Sequence, residues 1–177
     1  MGSIARAALV LTFTAALAGS TALPASADPT TATIEVTGGA LAISVPTDAG
    51  SLGTRANTVS GGTISGTLGQ VQVNDARSAI AGSGWVASVI STAFTPAPAG
   101  TAIAASAVSY TAGTIAKVGT ATYTANDPAS LVGVVPAVTA TGITGDNSAT
   151  WNPTISVAVP GGAVAAVYSA TITHSLL

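Results

Sequence analysis

Apolar residues alternate with Thr, Ser and other small residues along most of the chain. Ala32, Ile34 and Val36 interleave with Thr33, Glu35 and Thr37, and Leu41, Ile43 and Val45 with Ala42 and Ser44. Val71 and Val73 share a parity with Asp75 and Arg77. Trp151, Pro153, Ile155, Val157 and Val159 make another row, and Ala166, Tyr168, Ala170, Ile172, His174 and Leu176 the last. Period two is the signature of a half-buried strand, and Val and Thr, stiff at χ1, suit a pleated surface. In the run from Trp85 to Ser91 both parities are apolar, with Trp85, Ala87 and Val89 on one and Val86, Ile90 and then Phe94 on the other. That predicts a central strand. No segment presents a helical face, although Ala is abundant and is the best helix former.

Turn chemistry punctuates these rows. GG at 38–39, PTDAG at 46–50, SGG at 60–62, PAPAG at 96–100, NDP at 126–128, GDN at 145–147 and PGG at 160–162 all read as turns, because Gly supplies positive φ, Pro fixes φ and Asx side chains close local turns. SAIAGSG at 78–84 reads as a loop between a strand ending in Asp75 and Arg77 and a strand opening at Trp85. Many short, mainly antiparallel strands predict an all-β fold, a single-domain β-sandwich or partly open barrel.

Composition sets this domain in an exported chain. Arg6 precedes an apolar run, AALVLTFTAALAG, and small residues at Ala25 and Ala27 close the segment. A basic start, an apolar middle and an A-x-A end predict a secretory signal peptide over residues 1–27, cleaved after Ala27, with the domain spanning 28–177. The apolar run is interrupted by Gly19, Ser20, Thr21 and Pro24, short of the ~20 residues a transmembrane anchor needs. The absence of cysteine removes a lipoprotein anchor and a disulfide framework. Beyond residue 27 only Arg55, Arg77 and Lys117 oppose the six acidic residues. Without a basic patch there is no electrostatic footprint for nucleic acid and none for a basic membrane-surface helix. At 48% hydrophobic and 6% charged residues, the chain is also the opposite of a disordered polyelectrolyte.

Candidate chemistry is sparse. His174 is the single histidine, on an apolar strand parity near the C-terminus, and no G-x-S-x-G elbow accompanies it. One His, no Cys and scattered Asp make no zinc set. GDN at 145–147 lacks the spacing of a calcium loop. No carboxylates are paired at a spacing that suggests glycoside hydrolysis. Catalytic residues, metals and cofactors are therefore not expected. What stands out is VNDARSAIAGSGWVASV at 73–89, where Asp75, Arg77 and Trp85 concentrate residue types rare elsewhere. Asp75 and Arg77 are read either as a partly buried ion pair closing a sheet edge or as an exposed pair. Trp85 is read either as core or as a platform that stacks on a sugar ring.

Together these segments resemble the WxL domain, a surface domain of Gram-positive bacteria. The order VNDAR, GSGW, VASV is similar to that family's proximal motif, and YSATITHSL fits its distal motif in register, with Tyr168, Ile172, Thr173, His174, Ser175 and Leu176. WNPTISVAVP at 151–160 has the look of the strand and turn that precede the distal motif. Two positions depart from the pattern. Ala87 stands where the proximal Leu belongs, and His174 where the distal Trp belongs. The resemblance implies a divergent relative: a secreted, non-catalytic β-sandwich at the cell surface. It attaches non-covalently to cell-wall polymer, the peptidoglycan, alongside other surface proteins. The family-motif residues, structural or binding, are Asp75, Arg77, Trp85, Tyr168, His174 and Leu176. Low charge and Thr/Val-rich strands also suit a self-associating subunit of an extracellular fibre or coat. A secreted hydrolase is the remote alternative.

Overall fold

The computed structural model describes residues 31–177, and within it Val36–Leu177 form one compact unit. The expected signal peptide at 1–27 lies outside the described residues. The compact unit is all-β, with ten strands and a single 3-10 turn at Ala105–Ala107. The strands are β1 (Leu41–Ser44), β2 (Gly62–Thr67), β3 (Val71–Ser91), β4 (Thr95–Ala97), β5 (Val108–Thr111), β6 (Ala116–Ala125), β7 (Val135–Trp151), β8 (Thr154–Val159), β9 (Val167–Ser169) and β10 (Ile172–Leu176).

All pairings between these strands are antiparallel. The larger sheet runs β1-β3-β7-β6, with β10 also bonded to β3; a second sheet runs β2-β8-β5, and β4 pairs with β9. Among the described residues no sheet closes into a barrel. Two crossings join the first sheet to the second at one corner. β7 becomes β8 across Asn152–Pro153, and β2 becomes β3 across Leu68–Gln70. Proline has no N–H to give a ladder, so it fits a break between sheets better than a strand centre. The corner is held by Leu68 N–H bonding the Pro153 carbonyl at 2.9 Å and Gly69 N–H bonding Asn152 Oδ1 at 3.1 Å. Parity survives the crossing: Trp151, Pro153, Ile155 and Val157 are all buried. The row read from sequence is thus one inward face shared by two sheets.

One hydrophobic core fills the space between the layers. Val71, Val73, Trp85, Val89, Val138 and Ile143 enter from the larger sheet, and Tyr110, Ile155 and Val157 from the smaller. Burial of this kind is worth about 25 cal/mol per Å² of apolar surface, and it decides which parity faces inward. The C-terminal row follows the same rule at half depth. Tyr168, Ala170, Ile172, His174 and Leu176 are half-buried while their odd-numbered neighbours are exposed.

Four expectations are corrected. The strands are not all short: β3 spans 21 residues and β7 spans 17. SAIAGSG is not a loop, and Trp85 does not open a new strand. Both lie inside β3, which stays paired to β7 through a series of register shifts. Between the pairs Asp75↔Asn147 and Trp85↔Ala140, β3 carries more residues than β7, and the excess is absorbed by bulges at Ser78 (φ 52) and Gly82 (φ 89). Gly adopts that conformation freely, so the Gly-containing stretch bends the strand rather than ending it. GDN at 145–147 is likewise mid-strand, with Gly145 (φ 70) opposite Ala79. Finally, the alternating segment from Ala32 to Val36 forms no strand, and Ile34 and Val36 are exposed.

Candidate functional site

The cluster of Asp75, Arg77 and Trp85 is a hydrogen-bonded network around the bulged middle of β3. Asp75 continues the inward parity of Val71 and Val73 and is fully buried. Arg77, two residues on, turns its side chain back over it. Its Nε donates to Asp75 Oδ1 at 2.8 Å and its Nη2 to Oδ2 at 2.8 Å, while its backbone N–H also reaches Oδ1 at 3.2 Å. Nη2 further donates to the Gly84 carbonyl at 3.3 Å, tying the two flanks of the bulge together. The pair is half-buried: 37% of the Arg77 side chain is exposed against none of Asp75. The Arg77 hydrogen bonds hold the Asp75 carboxyl down at about 2, against the opposing effect of burial, and Asn147 helps. The carboxylate in turn raises the Arg77 guanidinium above its ordinary value.

Asn147, on β7, links this pair to the core. Its Nδ2 donates to Asp75 Oδ2 at 3.2 Å. Its Oδ1 accepts from Trp85 Nε1 at 3.2 Å and from the Tyr123 hydroxyl at 3.1 Å. A carboxylate on one side and two donors on the other fix the amide's orientation. Trp85 is 2% exposed and packs against Tyr123 with ring centroids 5.7 Å apart. Burial, then the charge on Asp75, raises the Tyr123 hydroxyl, so it stays a donor. No face of Trp85 reaches solvent, so the sugar-platform reading of this residue is excluded and the core reading stands.

A second tryptophan anchors the other cluster. Trp151, the last residue of β7, donates its Nε1–H to the Tyr110 hydroxyl at 2.7 Å. That hydroxyl lies 3.3 Å from His174 Nε2, and the two rings meet edge-on with centroids 5.7 Å apart. Burial pushes the Tyr110 hydroxyl up to about 12 and pulls His174 down to about 4. The imidazole is therefore neutral near pH 7. The hydroxyl accepts from Trp151 and shares a second hydrogen bond with Nε2, whose direction follows the tautomer of the ring.

The motif residues are thus divided among neighbouring places. Asp75, Arg77 and Trp85 sit on β3 around Asn147. Leu176 and His174 sit on β10, opposite Ala87 and Val89 of the same β3 strand. Tyr168 belongs to neither cluster. It lies on β9, pairs with β4, and its hydroxyl donates to the Val164 carbonyl at 3.2 Å. Asn147, Tyr123 and Tyr110 are the participants missed in sequence. Asn147 was hidden by its neighbours Gly145 and Asp146, which signal a turn; counting back by twos from Trp151 places it on the inward face.

His174 also borders a cleft. It measures about 860 Å³ and lies between the segment 45–58 and the stretch 163–172. Leu52, Ile64, Phe94 and Val157 line it together with the polar Thr54 and Asn57. Among the described residues no group of three or more His, Cys, Asp or Glu is placed to hold a metal ion, and no helix is long and apolar enough to cross a membrane. Compared with known proteins, the chain matches no family model, no curated protein and no solved structure.

Proposed function

We propose that this chain is an exported, non-catalytic cell-surface domain of the WxL type that attaches non-covalently to peptidoglycan. The observation that carries the reading is the adjacency of the two motif segments. The strand with Asp75, Arg77 and Trp85 is hydrogen-bonded directly to the C-terminal strand with His174 and Leu176, so the two segments form one structural unit although they are far apart in sequence. Both departures from the motif are accommodated inside that unit. Leu176 stands opposite the small Ala87, and the Tyr110 ring packs edge-on against His174. The motif residues act as framework, which leaves polymer binding to another surface.

The cleft beside His174 is that surface. Its volume falls in the range of ligand-binding clefts, roughly 300–1,000 Å³, and its lining mixes apolar side chains with hydroxyls and amides of the kind that engage glycan or peptide. His174 bonds a tyrosine rather than a serine or carboxylate, in keeping with a non-catalytic role. Sedimentation of the protein with purified peptidoglycan tests the proposal. Retention well above a control protein is expected, and Thr54→Trp, which fills the cleft, lowers it. Wild-type retention no greater than the control rejects wall attachment.

A further inference from the structure

Residues 32–37 have the sequence of a strand and no strand partner among the described residues. Ile34 is 92% and Val36 77% exposed, and the chain's single glutamate, Glu35, lies between them. Such a segment exposes apolar side chains and backbone N–H and C=O groups that favour pairing.

The larger sheet offers a matching edge. Among the described residues β6 bonds to β7 alone and is the longest strand paired on one side only. Its first residues, Ala116–Thr120, are exposed, and Val118 is 69% exposed. This stretch contains the chain's single lysine, Lys117. Lys117 pairs with Ala149 and Val118 with Ser148, so the two side chains point to opposite faces of the sheet. An antiparallel strand that sets Glu35 opposite Lys117 sets Ile34 opposite Val118 and Val36 opposite Ala116. One register therefore matches charge on one face and apolar surface on the other. A slip by one residue loses both matches.

The strand that fills this edge comes from another molecule. Gly39 N–H bonds the Ala76 carbonyl of β3, which holds the chain on the β1 side of the sheet. Four residues from Gly39 to Glu35 span at most about 14 Å. The slot outside β6 lies four strand spacings from β1, about 19 Å. We infer that residues 32–37 of one copy add as an antiparallel strand to the β6 edge of a second copy, with Glu35 beside Lys117 and Ile34 beside Val118. The contact is head-to-tail: it uses two different surfaces, and each copy keeps one donor segment and one open edge.

The chain has no cysteine, so introduced thiols report without background. Exported chains carrying Glu35→Cys and Lys117→Cys are mixed and mildly oxidised in the absence of wall material, which keeps the result independent of wall attachment. Opposed residues on paired strands lie close enough for a disulfide. The mixture is expected to give a covalent dimer in several-fold excess over a Glu35→Cys and Thr63→Cys mixture, in which the second thiol lies on β2. Cross-linking no faster than in that control overturns the inference. Sedimentation velocity supplies a second readout. Glu35→Lys or Lys117→Glu alone weakens self-association by up to about fivefold, the range of an exposed ion pair, and the double variant restores it. Association indifferent to both reversals, or a monomer at every concentration, also overturns it.

Discussion

The two tryptophan clusters solve the same problem with different chemistry. Trp85 and Trp151 are both 2% exposed, and a buried indole N–H needs an acceptor. At the bulged middle of β3 the acceptor is an amide oriented by an ionised carboxylate, and the carboxylate is kept ionised by an arginine that still touches water. At the corner between the sheets the acceptor is a tyrosine hydroxyl oriented by a neutral imidazole. The first cluster keeps a charge in the core through a partner at the rim. The second holds no charge. Every buried polar side-chain atom among the described residues has a hydrogen-bond partner, so the clusters differ in how each responds when one member is removed or titrated.

The charged cluster breaks most severely, and asymmetrically. Arg77→Ala leaves the buried Asp75 carboxylate with Asn147 as its one side-chain partner, while Asp75→Ala leaves an arginine free to turn into solvent and the neutral Asn147 Nδ2–H without its acceptor. Breaking a buried pair costs about 3–5 kcal/mol because of the charge left behind. Arg77→Ala is therefore expected near the lower end of that range, with Asp75→Ala costing roughly 1 kcal/mol less because its orphaned partner is exposed. Urea unfolding at neutral pH, followed by tryptophan fluorescence, measures both. Equal losses from the two variants would mean that the buried charge is not what sets the cost.

Acid separates the clusters by pH. His174 is held at about 4 in the fold by burial, against 6.5 for a free imidazole. On acidification the unfolded chain takes up this proton first, so stability falls as pH drops from 6.5 towards 4. The loss is on the order of 2 kcal/mol for a partly buried ring. Asp75 is depressed from 3.8 to about 2 by Arg77. Its contribution is complete above pH 3.8 and is lost as pH falls through 2. Two successive acid phases are expected in unfolding free energy, and His174→Gln removes the upper phase while leaving the lower one. An unchanged upper phase in that variant would assign it to another group.

Much of this fold is legible along the chain, because parity is a local signal and burial follows it. The rows from Trp151 to Val159 and from Tyr168 to Leu176 face inward as their alternation predicts. Parity misleads where a residue's partner is distant. The glycines at 82, 84 and 145 signal turns, yet β3 and β7 run through them because each supplies the other's hydrogen bonds along the bulge. Ala32–Val36 has the right alternation and no strand, since alternation creates a face without providing a partner. Asp75, Arg77 and Trp85 were recognisable by rarity. Asn147 and Tyr123, which make them a network, are ordinary residues whose role depends on long-range register.

The smallest effect tests the neutral cluster. Tyr110→Phe removes one oxygen and leaves two groups without their partner, the Trp151 N–H and His174 Nε2. A buried donor left unsatisfied costs about 1–3 kcal/mol. The half-buried imidazole recovers part of its loss through water, so an effect of about 1–2 kcal/mol is expected, below that of Arg77→Ala. The same variant separates two explanations of the low His174 pKa. Burial is its cause, and Phe preserves the ring that covers the imidazole, so the upper acid phase should keep its midpoint. If hydrogen bonding from the tyrosine hydroxyl sustained the neutral ring instead, that midpoint would move towards 6.5 in Tyr110→Phe. Histidine titration by NMR in wild type and variant reads the difference directly.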